Sequence, residues 1–159
     1  MQKSQEVFIT IMKTQTVCVG TCFSASVDVV WEKLQRIDTL QYIAAPYATF
    51  KPVGNTTLVW GEGNILKFHL KLFGFISFGI HTICVKQFDK TALVIFTNES
   101  NKFVPIWNHR IVLQKTNNDG MINYSDEVEI YAGWKTPIVV LWCKLFYKHR
   151  QKKWLKLLP

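Results

Sequence analysis

Alternating apolar and polar residues predict that most of this chain folds as β-strands. From Gln15 onward, every second residue is apolar or β-branched, namely Val17, Val19, Thr21 and Phe23, which is typical of a strand with one buried face. Similar alternation predicts further strands over residues 49–53, 64–73, 80–88, 92–99, 107–115 and 124–130. Residues 74–79 and the Asn-Asn-Asp-Gly run at 117–120 supply turns, and the second of these is typical of a tight hairpin.

Two short helices are predicted directly after the first strand. Ser26 is a favourable N-cap, because its hydroxyl can accept a backbone N–H of the first turn. Apolar residues then recur at helical spacing: Val30, Trp31, Leu34 and Ile37. Residues 38–39 interrupt this pattern. A second short helix over residues 40–45 ends ahead of Pro46, since the residue before a proline avoids the helical conformation.

The sequence pattern over residues 134–159 predicts one long helix. Thr136 offers a hydroxyl to an unpaired N–H of the first turn, Pro137 has the φ angle that a first turn needs, and no helix breaker follows until Pro159. The apolar stripe comprises Val139, Cys143, Phe146, Tyr147, Trp154, Leu157 and Leu158. Another face carries lysines every four residues: Lys144, Lys148, Lys152 and Lys156.

This order of elements predicts the α+β class, with a curved antiparallel β-sheet wrapped around a long C-terminal α-helix and two short helices after strand 1. A helix with so apolar a stripe needs a sheet to lie against. A length of 159 residues suits a single domain over residues 1–159 with a sizeable core. Residues 1–14 are ambiguous: they contain either a strand or an N-terminal extension ahead of a start at Met12.

The formal net charge of +8 raises nucleic acid and anionic membranes as partners. Much of the excess lies in the last helix, where a solvated face explains it. Strand aromatics alternate inward, whereas nucleic-acid binding needs them exposed among basic residues. We therefore expect no nucleic acid, and only a weak anionic membrane-surface contact. Residues 1–6 are polar, unlike a signal peptide, and the apolar run 138–143 is far shorter than a membrane span, so we expect a cytoplasmic protein.

The cysteines show neither a CxxC motif nor the spacing of metal ligands. Cys18 and Cys22 share one face of the first strand, while Cys84 and Cys143 lie far from them in the sequence. This pattern favours buried free thiols in a reducing compartment over a zinc site or a disulfide. The sequence also contains no GxSxG, HExxH, Walker or glycine-rich dinucleotide motif, so we predict no metal and no cofactor.

Four short segments carry a resemblance to a known superfamily. They read Tyr-Ile-Ala-Ala-Pro-Tyr at 42–47, Trp-Asn-His-Arg at 107–110, Asp-Glu-Val at 126–128 and His-Arg-Gln at 149–151. Together with the order of elements, they make the chain resemble the START/Bet v 1-like (SRPBCC) superfamily, in particular its uncharacterised bacterial single-domain members. The resemblance covers residues 15–158.

The resemblance implies the helix-grip fold, with a deep apolar cavity between the sheet and the last helix. Across the superfamily such cavities hold lipids, sterols, hormones and polyketides, and a minority of members are cyclases, aromatases or hydrolases. Fold alone does not transfer an activity to this chain.

His109 and Asp126 are the first candidates for a polar site. Each falls on the strand parity that otherwise carries apolar residues, and the turn at 117–120 places them on adjacent strands at or near diagonal distance. Three interpretations remain open: a buried polar pair that helps set the register, a polar contact to a ligand, and an aspartate-held histidine whose other nitrogen faces the cavity as a general base.

Other polar residues give weaker signals. His81 and Glu99 lie on strands, but their faces are not settled by the pattern, and structural roles are favoured for both. His69 alternates with lysines and is expected to be exposed. Arg110 shares a face with Glu127 and Glu129, which predicts weak cross-strand ion pairs.

Arg150 falls within the apolar stripe of the last helix and not with the lysines. An arginine is rarely buried without a partner. We therefore expect it to bond a carboxylate, with Asp38 the nearest candidate, or backbone carbonyls of the first-helix region. The alternative is a stem that lies on apolar surface with its charged end in water.

The sequence thus predicts a protein that binds a small, mostly hydrophobic molecule in an internal cavity. The aromatic residues among the candidates are core or pocket wall. The residues expected to contact the ligand are Phe68, Leu70, His81, Trp107, His109, Tyr124, Asp126, Trp142 and Phe146. The alternatives are a cyclase- or hydrolase-type enzyme that uses His109 with Asp126, and a membrane-surface lipid-binding protein that uses the basic last helix.

Overall fold

The computed structural model describes residues 13–55 and 59–158, and within them the chain forms seven strands and three helices. The strands are β1 (Gln15–Ser24), β2 (Ala48–Pro52), β3 (Ile65–Leu72), β4 (Ile76–Asp89), β5 (Val94–Ser100), β6 (Ile106–Lys115) and β7 (Met121–Tyr131). The helices are α1 (Val27–Leu34), α2 (Ile37–Ala44) and α3 (Thr136–Leu157). The prediction for residues 1–12 lies outside the described residues.

The strands form one antiparallel sheet in the order β1-β7-β6-β5-β4-β3-β2. The sheet curves around α3, which packs on β1, β7 and α2. The predicted α+β helix-grip fold is therefore confirmed. Its core lies between the concave face of the sheet and the buried side of α3, where Cys143, Phe146, Tyr147 and Trp154 are each almost fully buried.

The turn between β3 and β4 is tighter than predicted. Phe73 (φ 52°) and Gly74 (φ 79°) adopt left-handed backbone conformations that reverse the chain, so β4 begins at Ile76. Gly79 (φ 71°) lies within β4, where the pairing register with β3 shifts. It therefore belongs to a bulge and not to the turn, as is common for glycine inside a strand.

The helix ends agree with the sequence in part. Ser26 caps α1, and its Oγ accepts from Val29 N at 3.3 Å. Thr136 does not cap α3 as predicted, because its hydroxyl accepts from Ala132 N at 2.9 Å and donates to the Gly133 carbonyl at 2.6 Å. The break between α1 and α2 falls at Arg36, and Ile37 therefore opens the second helix.

The thiols are less buried than predicted. All four cysteines are free, but Cys18 and Cys22 are exposed. They lie on the outer face of β1, whereas Val17 lies on the opposite face and packs in the core. Cys143 is buried, and the surrounding apolar side chains raise the pKa of its thiol well above the ordinary value. His69 is exposed, as predicted.

Candidate functional site

An internal cavity of about 240 Å³ lies between the concave face of the sheet and α3. Its walls come from β2 to β6, from α2 and from α3, and most of the lining side chains are apolar. Six of the predicted ligand-contacting residues line it: Leu70, His81, Trp107, His109, Trp142 and Phe146. Their contact with a ligand stays a prediction.

The other three predicted residues are buried but do not line this cavity, contrary to expectation. Phe68 packs edge-on against Phe50, with ring centroids 5.8 Å apart, and it is Phe50 that lines the cavity. Tyr124 packs between Phe23 and Trp154 in a neighbouring part of the core. Asp126 lies behind His109, so a ligand would meet the histidine first.

His109 and Asp126 form the predicted pair. Their Nε2 and Oδ1 atoms lie 2.7 Å apart, and both side chains are buried. In the β6–β7 register, Asp126 is opposite Ile111 and His109 is opposite Val128, which makes the pair diagonal. The hydroxyl of Tyr124 donates to the same carboxylate oxygen at 3.1 Å.

A second imidazole–carboxylate pair, which the sequence pattern did not resolve, lies beside the first. His81 Nε2 and Glu99 Oε2 are 2.8 Å apart, and Thr97 donates its hydroxyl to the other Glu99 oxygen at 2.7 Å. That same oxygen is 3.7 Å from Nδ1 of His109, so Glu99 links the two histidines. One signal in the sequence could have placed Glu99 inward. Ile95, Thr97 and Glu99 are alternate residues of β5 and so share one face, and the apolar Ile95 marks that face as the buried one.

The two pairs stabilise charge inside the protein. Burial raises the pKa of Glu99, but the nearby imidazoles of His109 and His81 together outweigh it and hold the pKa below its usual range. Burial lowers the pKa of His109, but the hydrogen bond to Asp126 and the nearby carboxylate of Glu99 together outweigh it and raise the pKa. Of the three interpretations left open for this pair, the general base would need a ring nitrogen free of carboxylates, but Nε2 meets Asp126 at 2.7 Å and Nδ1 faces Glu99 at 3.7 Å. This geometry disfavours His109 as a general base.

Arg150 is 95% buried on the cavity side of α3, which contradicts both expectations for this residue. It does not pair with Asp38, whose carboxylate instead accepts from Arg36 Nε at 2.9 Å on the surface. Its charged end does not reach water over the apolar surface either. The guanidinium carbon lies 4.8 Å from the ring centroid of Tyr147 and 5.7 Å from that of Phe146.

Burial lowers the pKa of Arg150, but the charge of Asp126 together with other nearby groups, Glu99 among them, outweighs it, so the pKa stays above its ordinary value and the guanidinium stays charged. The cavity is thus lined by a permanent cation in addition to the two histidines.

The segments that carry the resemblance meet in the structure. His149 Nε2 lies 2.7 Å from the carbonyl of Ala45, and its ring centroid lies 4.5 Å from that of Tyr47. Gln151 donates to the carbonyl of Val19 at 2.6 Å and lies 3.5 Å from Asp126. These contacts hold α3 against the end of α2 and against the sheet. Several residues of the segments that carry the resemblance therefore have a structural role.

The predicted ion pairs of Arg110 are not formed. Its guanidinium lies 4.9 Å from the ring centroid of Phe96, while Glu129 accepts from Asn108 and Thr14, each at 2.8 Å. Within the described part of the chain, no group of three or more His, Cys, Asp or Glu side chains is arranged to hold a metal ion. None of the described helices is long and apolar enough to cross a membrane.

A family model described as a domain of unknown function (DUF8410) matches residues 21–157. No curated protein matches the sequence at a significant level. Many solved structures are similar to this fold, and three of them serve as examples. Protein CV1439 from Chromobacterium violaceum is 14% identical, with a TM-score of 0.71 and coverage of 90% of this chain and 96% of that one.

A START superfamily protein from Mycobacterium smegmatis is 11% identical, with a TM-score of 0.66, and the match covers 90% of this chain and 96% of that one. Ara h 8.0201 is 11% identical, with a TM-score of 0.60 and coverage of 88% and 97%. At such low identity the likeness establishes the fold alone, and it confirms the START/Bet v 1-like helix grip that the sequence predicted.

Proposed function

Because the chain belongs to the DUF8410 family, whose description assigns no activity, we propose its function from the cavity itself: the protein binds a small, mostly hydrophobic molecule between the sheet and α3. The observation that supports this most strongly is a preformed internal space with apolar walls and a few convergent polar groups, which is the usual composition of a small-molecule site. We also propose that the protein is cytoplasmic.

The volume limits the ligand. Pockets for drug-sized ligands span about 300–1,000 Å³, so a cavity of about 240 Å³ suits a short acyl chain or a single ring. Trp107 and Trp142 line it, with ring centroids 6.1 Å apart, and supply large rigid apolar surfaces. The charged and imidazole side chains of the lining, His81, Glu99, His109 and Arg150, come from β4, β5, β6 and α3, so they favour a ligand with an apolar body and one polar end.

Filling the cavity should weaken binding without harming the fold. Ala48 lines the cavity, and Ala48→Leu places an isobutyl group inside it. Wild type should bind 1-octanol with a change in tryptophan fluorescence, because Trp60, Trp107 and Trp142 line the site. We expect Ala48→Leu to weaken this binding at least about tenfold, equivalent to ~1.4 kcal/mol, with an unchanged or higher melting temperature.

Ala92→Leu is the matched control, because Ala92 is exposed in the turn before β5. It should bind 1-octanol like wild type. Equal binding by all three proteins would place the octanol outside the cavity and contradict the proposal.

A surface feature favours the membrane-contact alternative as a second candidate function. Trp134, just before α3, and Ile138 and Leu141, within its first two turns, are 82%, 66% and 62% exposed. The exposed lysines Lys144 and Lys148 follow within two turns. An apolar stripe beside cations suits an anionic membrane surface, where each lysine contributes about 1 kcal/mol.

Co-sedimentation with vesicles tests this candidate. We expect binding to vesicles that contain phosphatidylserine, little binding to pure phosphatidylcholine, and a steady loss as salt rises from 50 to 500 mM, as screening requires (the Debye length falls to about 3 Å at 1 M). Leu141→Ser should weaken binding, whereas Ile65→Ser, at a similarly exposed position on β3, should not. Equal sedimentation of the two variants would count against this surface.

A further inference from the structure

Arg150 is the one buried cation of the described chain that lines the cavity without a hydrogen-bonding partner. Only 5% of its surface is exposed, and its side chain is among those that line the cavity. Among the described residues, no hydrogen bond or ion pair reaches its guanidinium, and its Nε is buried with no partner. A guanidinium carries five N–H donors, and a buried charge costs free energy unless it is hydrogen-bonded.

The nearby carboxylates are already engaged by other donors. Glu99 accepts from Thr97 and pairs with His81 at 2.8 Å. Asp126 accepts from Tyr124 and pairs with His109 at 2.7 Å. Both acids act on Arg150 through their charge but form no direct bond with it. Arg150 is therefore the charged group of this cavity that has donors left for a ligand.

We propose that Arg150 binds a carboxylate at one end of the cavity ligand, which is thus a small amphipathic monocarboxylic acid; this inference rests on the proposed binding function. The planar fork of a guanidinium matches the two oxygens of a carboxylate. A dianionic phosphate suits the site less well, because Glu99 lines the same cavity and Asp126 lies directly behind His109, so that a second negative charge would meet two carboxylates.

The apolar walls complete the match to such an acid. Ile83, Trp107 and Trp142 line the same cavity and can cover a hydrocarbon body while its carboxylate lies at Arg150. A purely structural role for Arg150 is the competing explanation, because its guanidinium already packs on the ring of Tyr147. The two explanations differ in whether Arg150 discriminates between an acid and a neutral ligand of the same length.

The test compares octanoate with 1-octanol in titrations of the full chain, followed by tryptophan fluorescence at pH 7. Wild type should bind octanoate roughly 10- to 100-fold more tightly, the range for a hydrogen bond to a charged group. Arg150→Gln should lose this preference and keep its affinity for 1-octanol. Lys148→Gln removes the same charge from an exposed position two residues away, and it should retain the preference.

Arg150→Lys keeps the charge but not the fork, and it serves as the second variant if Arg150→Gln does not fold; it should lose most of the preference. Equal affinity of wild type for the two probes, or an undiminished preference in both Arg150 variants, would overturn the carboxylate inference while the cavity function stands. No binding of either probe to wild type would overturn both.

Discussion

A chain that ends at Leu141, and so lacks residues 142–159, is expected not to fold. The deleted segment covers the concave face of the sheet with four large buried side chains, those of Phe146, Tyr147 and Trp154 on α3 and of Leu158 just after it. Burying each contributes on the order of 1.5–3 kcal/mol. Their sum is comparable with the total stability of a typical domain, about 5–15 kcal/mol.

Circular dichroism and thermal melting of the truncated and full chains provide the measurement. The full chain should melt cooperatively, and the truncated chain should show no cooperative transition. A truncated protein that remains in solution and melts cooperatively would show that the sheet does not depend on α3.

Glu99→Ala should be among the most destabilising single substitutions in the protein. It removes the shared carboxylate between His81 and His109 and leaves two buried imidazoles without that partner. Breaking a buried charged pair typically costs about 3–5 kcal/mol, which for a chain of this size corresponds to a fall in melting temperature of roughly 6–20 °C. Glu32→Ala, which removes an exposed carboxylate from α1, should change the melting temperature little.

The pH dependence of stability gives this prediction a second readout. The folded pKa of Glu99 is lowered, so its stabilisation is complete above the ordinary glutamate pKa of about 4.3 and declines as pH falls toward the folded value. The difference in melting temperature between wild type and Glu99→Gln should therefore shrink on acidification below that pH. A difference that stays constant from pH 7 to pH 3 would contradict the ionic role of Glu99.

The contribution of His109 to stability depends on pH in the opposite direction. Its folded pKa is raised, so its contribution is complete below the ordinary histidine pKa of about 6.5 and is lost as pH rises through the folded value. Acidic and neutral conditions thus separate the contributions of the two groups.

The sequence predicted most of the fold and one of the two polar pairs. The hairpin turn at residues 117–120 fixes the register of β6 and β7, and clean alternation on both strands places His109 and Asp126 inward. On β4 both parities carry apolar residues, such as Ile80 and Ile83, and the bulge at Gly79 breaks the alternation. Pattern alone therefore could not place His81.

The partners of Arg150 depend on tertiary packing. Its helical angle correctly predicts burial within the apolar stripe, but whether it faces α2 or the sheet depends on how α3 is rotated and tilted across the core. The cavity has the same origin, because an internal void depends on how all the side chains fit together. Its position could be inferred from the resemblance, whereas its size and the exclusion of Phe68 and Tyr124 could not.

The most direct test of cavity binding is a filtered nuclear Overhauser experiment on 13C-labelled full chain with unlabelled 1-octanol. Binding inside the cavity predicts contacts from the octyl chain to the methyl groups of Ile83 and Val104, both of which line the cavity and are buried. Contacts confined to exposed methyl groups such as that of Ile65, or no contacts at saturating octanol, would contradict the proposed function.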